Sequence, residues 1–140
     1  MSRRVYSEIN LHITWHTKHN QPMITEQIEP DLYKFLKAKI LETSETYIHA
    51  IGGIQDHIHI AVSVPPTLKI DEWIGKLKGG SSFFINKKIT GTKSLEWQNG
   101  YGIVSFGTRD LDWVVNYVEN QKEHHRKGNV YERLEKIEKE

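Results

Sequence analysis

His57 and His59 are separated by one residue in the stretch Gly52 to Val64. As a strand, this stretch sends Ile58, Ile60, Val62 and Val64 to one face and His57, His59, Ala61 and Ser63 to the other. Residues two apart on a strand lie about 6.6 Å apart along it, so both rings can converge on one metal ion bonded at about 2 Å. Near the other end of the chain Tyr117, Gln121 and His124 fall within roughly 60° of one another on a helix. A phenol, with a pKa of about 10, is a weak nucleophile at neutral pH unless a base or cation assists it. A divalent ion on His57 and His59 polarises a phosphodiester and neutralises charge that builds on its oxygens. Neutral ligands, two imidazoles and the Gln121 carbonyl, leave the ion's charge undiluted. Attack by Tyr117 then stores the energy of the broken bond in a phosphotyrosine. Each feature alone has an ordinary reading: polar residues on the wet side of a strand, and a boundary tyrosine with polar neighbours. Together they predict a site, provided that the last helix lies over the histidine face. Ligand chemistry by itself points to zinc or another imidazole-preferring metal. Asp56 is a further ligand or a turn residue, with turn chemistry preferred.

The elements that must position these groups follow from the hydrophobic pattern. Ile9 to Thr17 alternates Leu11, Ile13 and Trp15 against His12, Thr14 and His16, a first strand on which His12, His16 and His19 read as exposed. Thr25 to Leu41 has apolar residues at helical intervals with Pro30 in the first turn. Thr46 to Ile51 reads as a second strand, joined to the histidine strand by a turn containing Gly52-Gly53 and Gln55-Asp56. From Lys69 the pattern predicts a helix interrupted or kinked at Gly79-Gly80. A polar loop from Gly91 to Gly100 is anchored by Trp97 or offers that ring to a base, anchoring being the preferred role. Tyr101 to Phe106 is the fourth strand, and Asp110 caps one last amphipathic helix. The charged tail, with the basic lead Ser2-Arg3-Arg4 at the other end, reads as solvated or partner-contacting. The resulting order fits an α+β, ferredoxin-like four-stranded antiparallel sheet with an added C-terminal helix.

The 140 residues, 37% hydrophobic and 26% charged, fit a single domain over 1–140. No apolar run is long enough to cross a bilayer, no secretory signal opens the chain, and cysteine is absent, so a cytoplasmic location is the default expectation. A net charge of +1 does not announce a nucleic acid, but the lysines between Lys69 and Lys93 form a local excess that fits phosphate tracking or a solvated helix face.

These pieces resemble the HUH single-tyrosine transposases of the smallest bacterial insertion sequences and their REP-associated relatives. The resemblance rests on His57-Ile58-His59, on Trp15-His16-Thr17-Lys18, on Asp56, on Leu77-Lys78-Gly79-Gly80-Ser81-Ser82 and on Trp97-Gln98-Asn99-Gly100-Tyr101-Gly102. It continues through Tyr117-Val118-Glu119-Asn120-Gln121 and His124-His125, in the family's order. It implies a homodimer that cleaves and joins single-stranded DNA next to hairpins, with Tyr117 forming a 5′-phosphotyrosine. It also implies Mg²⁺ or Mn²⁺ held by His57, His59 and Gln121, and sites that each subunit completes alone or with its partner. His124, Asp56, Lys78 and Lys18 are the candidates for a supporting shell or DNA contact, His124 being preferred to His125. The competing readings are a catalytically idle module that binds structured nucleic acid, and a host-adopted nuclease acting on REP hairpins.

Overall fold

The structure is a computed structural model that describes residues 5–137. The lead Ser2-Arg3-Arg4 and the end of the tail from Glu138 lie outside the described residues. Four strands, β1 (Asn10–His16), β2 (Tyr47–Ile54), β3 (His57–Ser63) and β4 (Gly102–Phe106), form one antiparallel sheet in the order β2-β3-β1-β4. This is the expected ferredoxin-like arrangement. It puts β3 and β1 at the centre, with His57 opposite His16 and His59 opposite Thr14.

One face of the sheet is sealed by α1 (Glu29–Leu41) and α2 (Ile70–Phe84). Leu11, Ile13, Trp15, Ile58, Ile60 and Val62 meet Leu32, Leu36, Ile40, Trp73, Ile74 and Leu77 there in the main core. Each such side chain, fully buried, contributes roughly 1.5–3 kcal/mol. The other face is covered by α3 (Leu111–Glu119), α4 (Gln121–Lys127) and α5 (Glu132–Glu135), with a smaller cluster of Ala50, Ala61, Val114 and Val118. Small residues on the strands let α3 come close. A Cβ on Gly52 would stand 2.1 Å from the Val118 carbonyl oxygen, so only glycine fits between β2 and the end of α3.

The structure departs from the sequence pattern in several places. Gly52-Gly53 belong to β2 itself, and Gln55-Asp56 alone make the turn to β3. The helix over Gly79-Gly80 is unbroken, because the buried stripe Trp73, Ile74, Leu77 and Ser81 outweighs glycine's poor propensity. Irregularity comes only afterwards, in the wide π-turn Ile85–Thr90. The last helix is two helices, divided at Asn120 (φ −111°, ψ 32°), whose side-chain amide donates to the Asn116 carbonyl in competition with the helical ladder. Asp110 closes a 3₁₀ turn ahead of α3 and makes no side-chain cap. No helix among the described residues is long and apolar enough to cross a membrane.

The close approach at Gly52 predicts that Gly52→Ala lowers stability by about 1–3 kcal/mol in chemical denaturation. Gly75→Ala, in α2 with nothing within 4 Å of the added methyl, is expected to raise it by up to about 1 kcal/mol.

Candidate active site

On β3 both histidines are interior: His57 is 3% exposed and His59 fully buried. Their far ring nitrogens are already engaged. His57 Nδ1 donates to Asp56 Oδ1 at 2.7 Å, and His59 Nδ1 lies 2.8 Å from His12 Nε2. Donation from His59 to His12 leaves the lone pair on His59 Nε2, as donation to Asp56 does for His57 in its neutral form. The two Nε2 atoms turn toward one point, and neither has a hydrogen-bond partner among the described residues. Buried polar atoms are rarely left in that state, and two convergent imidazole nitrogens with fixed outer hydrogen bonds fit a divalent metal.

Tyr117 reaches this point from α3. Its ring lies edge-on to His59 with centroids 6.0 Å apart and stacks on His124 at 4.8 Å. Gln121, 1% exposed, donates to the Tyr117 carbonyl, while its own carbonyl oxygen lies 3.1 Å from His125 Nε2. His124 turns away to Asn129, at 2.8 Å. His125 is therefore the histidine of α4 that faces the β3 pair, its ring 4.9 Å from that of His57. Lys78 donates to the Gln98 and Gly100 carbonyls and so ties the loop after α2, and Lys18 pairs with Glu96 at 3.8 Å. Trp97 anchors that same loop, donating to Ser81 Oγ and packing edge-on against Trp15. Lys76 lies on α2, which packs on the opposite face of the sheet, and Lys93 pairs with Glu96 at 3.7 Å.

Of three residues read from sequence as exposed or solvated, His12 is buried and His16 and Glu135 are half-buried. His12 is 1% exposed under His59, His16 stacks on His57 at 4.6 Å, and the tail, far from being only solvated, brings Glu135 into the site. Glu135 Oε1 lies 3.3 Å from His57 Nε2 and 3.6 Å from His125 Nε2, and Oε2 lies 3.3 Å from His59 Nε2. The Tyr117 hydroxyl donates to Oε2 and accepts from the Tyr131 amide at 2.8 Å. The period-two pattern that put His12 and His16 on one face of β1 already carried their signal. Nothing local marked Glu135 apart from Leu134, a lone buried leucine in a charged tail.

The electrostatics follow from burial and neighbours. Burial lowers His12 to about 3 and His59 to about 4, Glu135 only partly offsetting the latter. Burial also works against the His57 cation, but Asp56 and Glu135 outweigh it and raise His57 to about 9. Tyr117 is pushed up to about 12, by burial first and then by its hydrogen bond to Glu135. Burial would raise Glu135, yet the histidines hold it far below the usual carboxylate range. The site thus keeps a carboxylate, a protonated phenol and one protonated imidazole close together.

A family model described as IS200-like transposase matches residues 5–121. The chain belongs to the IS200-like transposase family. Solved structures agree on the fold. A candidate transposase from Deinococcus radiodurans R1 aligns over 86% of this chain and 96% of its own, with a TM-score of 0.66 and 18% identity. A REP-associated tyrosine transposase, solved with a REP hairpin, aligns over 93% of this chain and 75% of its own, with a TM-score of 0.58 and 18% identity. No curated protein matches the sequence. Membership supports a transposase function, an enzyme of DNA strand transfer, and suggests a divalent metal for the histidine cluster. In this IS200-like chain the matched region ends at Gln121, so His125 and Glu135 lie beyond it.

The pKa directions predict a two-sided pH profile for the metal-free protein. His57, raised from 6.5 to about 9, contributes stability fully present below 6.5 and lost as pH rises through 9, bounded by about 3 kcal/mol. His12 and His59, lowered, contribute stability present above 6.5 and lost as pH falls through 4 and then 3. Thermal melting in chelator should therefore peak near pH 6–7, and His57→Ala should flatten the alkaline arm while leaving the acid arm.

Proposed function

We propose that this chain is a metal-dependent single-strand DNA transposase in which Tyr117 is the nucleophile. The observation that carries the reading is the placement of one buried phenol beside two buried imidazoles whose Nε2 atoms converge without a hydrogen-bond partner. His57 and His59 hold the divalent ion, Mg²⁺ or Mn²⁺, and Gln121 completes its ligand set when DNA is bound. When bound, that ion supplies positive charge to the non-bridging oxygens of the scissile phosphate.

The chain's own residues account for the rest. Asp56 and His12 fix the orientation and tautomer of the two histidines through their Nδ1 atoms. The Tyr117 oxygen forms a bond to phosphorus as the bond from phosphorus to the departing 3′ oxygen breaks. The phenolic proton leaves the tyrosine, and the departing strand gains a proton to become a free 3′-hydroxyl. The product is a 5′-phosphotyrosine, and attack by a second 3′-hydroxyl reverses the step and joins the strand without ATP. Tyr117 lies next to the histidines of its own chain, which supports catalysis within one subunit of the proposed homodimer. The REP hairpin bound to one structural relative supports hairpin-bearing single-stranded DNA as the partner.

A labelled single strand carrying the flank of the gene, incubated with Mn²⁺ and resolved on a denaturing gel, tests this directly. The wild type should yield a covalent protein–DNA band. Tyr117→Phe should yield none while retaining hairpin binding, and His57→Ala should slow its appearance by roughly a hundredfold or more. Undiminished attachment by Tyr117→Phe would remove that residue from the mechanism. Binding without any attachment by the wild type would favour the idle module.

A further inference from the structure

Glu135 is held in place by several independent contacts. Leu134 beside it is 1% exposed, Arg133 donates to the Ser105 carbonyl at 2.7 Å, and the Tyr131 amide donates to the Tyr117 hydroxyl. The Lys136 carbonyl oxygen passes over Gly102 so closely that a Cβ there would stand 1.8 Å from it. β4 therefore has glycine where the tail crosses it. The carboxylate is not a stray surface charge.

Its spacing is that of a ligand. Four donor atoms, from His57, His59, His125 and Glu135, lie within 4.8 Å of one another. Oε1 lies 3.3 Å from His57 Nε2 and 3.6 Å from His125 Nε2, near the edges of about 3.3 Å expected for tetrahedral ligands bonded at about 2.0–2.1 Å, while the 3.3 Å approach to His59 Nε2 is made by the other oxygen, Oε2. Gln121 meanwhile faces His125 and the Tyr117 backbone. A cavity of about 650 Å³, lined by His16, His19, Asn20, Gln98, Glu135 and Lys136, provides an entry path for an ion or a strand.

Resting on the transposase reading above, we propose that Glu135 is a metal ligand of the DNA-free protein. With His57, His59 and His125 it closes a four-coordinate resting site, and it holds the place that a scissile phosphate takes. The geometry requires the exchange: Oε2 accepts the hydrogen bond of the Tyr117 hydroxyl, and a phosphate under attack must lie against that same hydroxyl. Two anionic groups cannot share the position. Three imidazoles with one carboxylate favour Zn²⁺ or Co²⁺ over Mg²⁺, which prefers oxygen ligands.

The test is Co²⁺ titration of the full, chelator-stripped chain without DNA, followed by visible absorption, with metal-free melting as the control for folding. The wild type should bind with the intense absorption of a four-coordinate ion. Glu135→Gln should weaken binding at least about tenfold and alter the spectrum, and His57→Ala should abolish it. Adding a single-stranded flank oligonucleotide to the wild-type Co²⁺ form should shift the spectrum as the carboxylate departs. Wild-type affinity and spectrum in Glu135→Gln, with binding lost in His57→Ala, would overturn the ligand role of Glu135 and leave the transposase reading standing. Equal binding by His57→Ala and wild type would instead overturn the metal site on which both readings depend.

Discussion

The structure depends on a constraint set by two buried imidazoles on a central strand. A neutral histidine can satisfy one ring nitrogen locally and still present a lone pair from the other, and the hydrogen bonds to His12 and Asp56 set up both β3 histidines for this, His59 as it stands and His57 once it gives up its proton. Fixing the Nδ1 sides aims the Nε2 atoms, so the direction of the site is decided before any ligand arrives. That arrangement needs β1 beside β3, because His12 belongs to β1 and reaches His59 across the pair. A sheet with β3 at its edge would lack this neighbour.

The sheet can hold polar chemistry on one face because its stability comes chiefly from the other. α1 and α2 bury the large aliphatic residues, whereas the buried cluster on the α3 side is small, Ala50, Ala61, Val114 and Val118 with Phe106 and Val115 packed against it. Small side chains there serve proximity more than burial, bringing α3 near enough for Tyr117 to reach the histidines. The break at Asn120 redirects the chain, so that α4 presents His125 to β3 and leaves His124 stacked on Tyr117.

Where the pattern was periodic and strong, the sequence was legible. The four strands, their ferredoxin-like order, the amphipathic α1 and the shared face of His57 and His59 all follow from alternation and helical spacing. The errors have physical causes. Tertiary packing carried α2 straight through Gly79-Gly80, and a side-chain hydrogen bond at Asn120 divided a helix whose apolar stripe gave no warning. His12 read as exposed because a polar residue on a strand face is normally wet, and only the three helices packed over that face make it interior. Glu135 lay in a stretch whose composition says solvation, and its burial is decided by long-range docking that no local rule contains.

Magnitudes decide how firmly that last segment is held. α5 has four residues, far below the length at which a helix persists by itself, so its docking rests on tertiary contacts. Burial of Leu134 contributes about 2 kcal/mol, and the hydrogen bonds from Arg133 and the Tyr131 amide add roughly 1 kcal/mol each. The sum is a few kcal/mol: enough to keep Glu135 in place in most molecules at rest, and small beside the several phosphate contacts of a bound single strand. A longer or more apolar tail would hold the carboxylate against any competitor, and a shorter one would leave the histidines uncovered. The tail's marginal attachment therefore suits a group that guards the site and then leaves it.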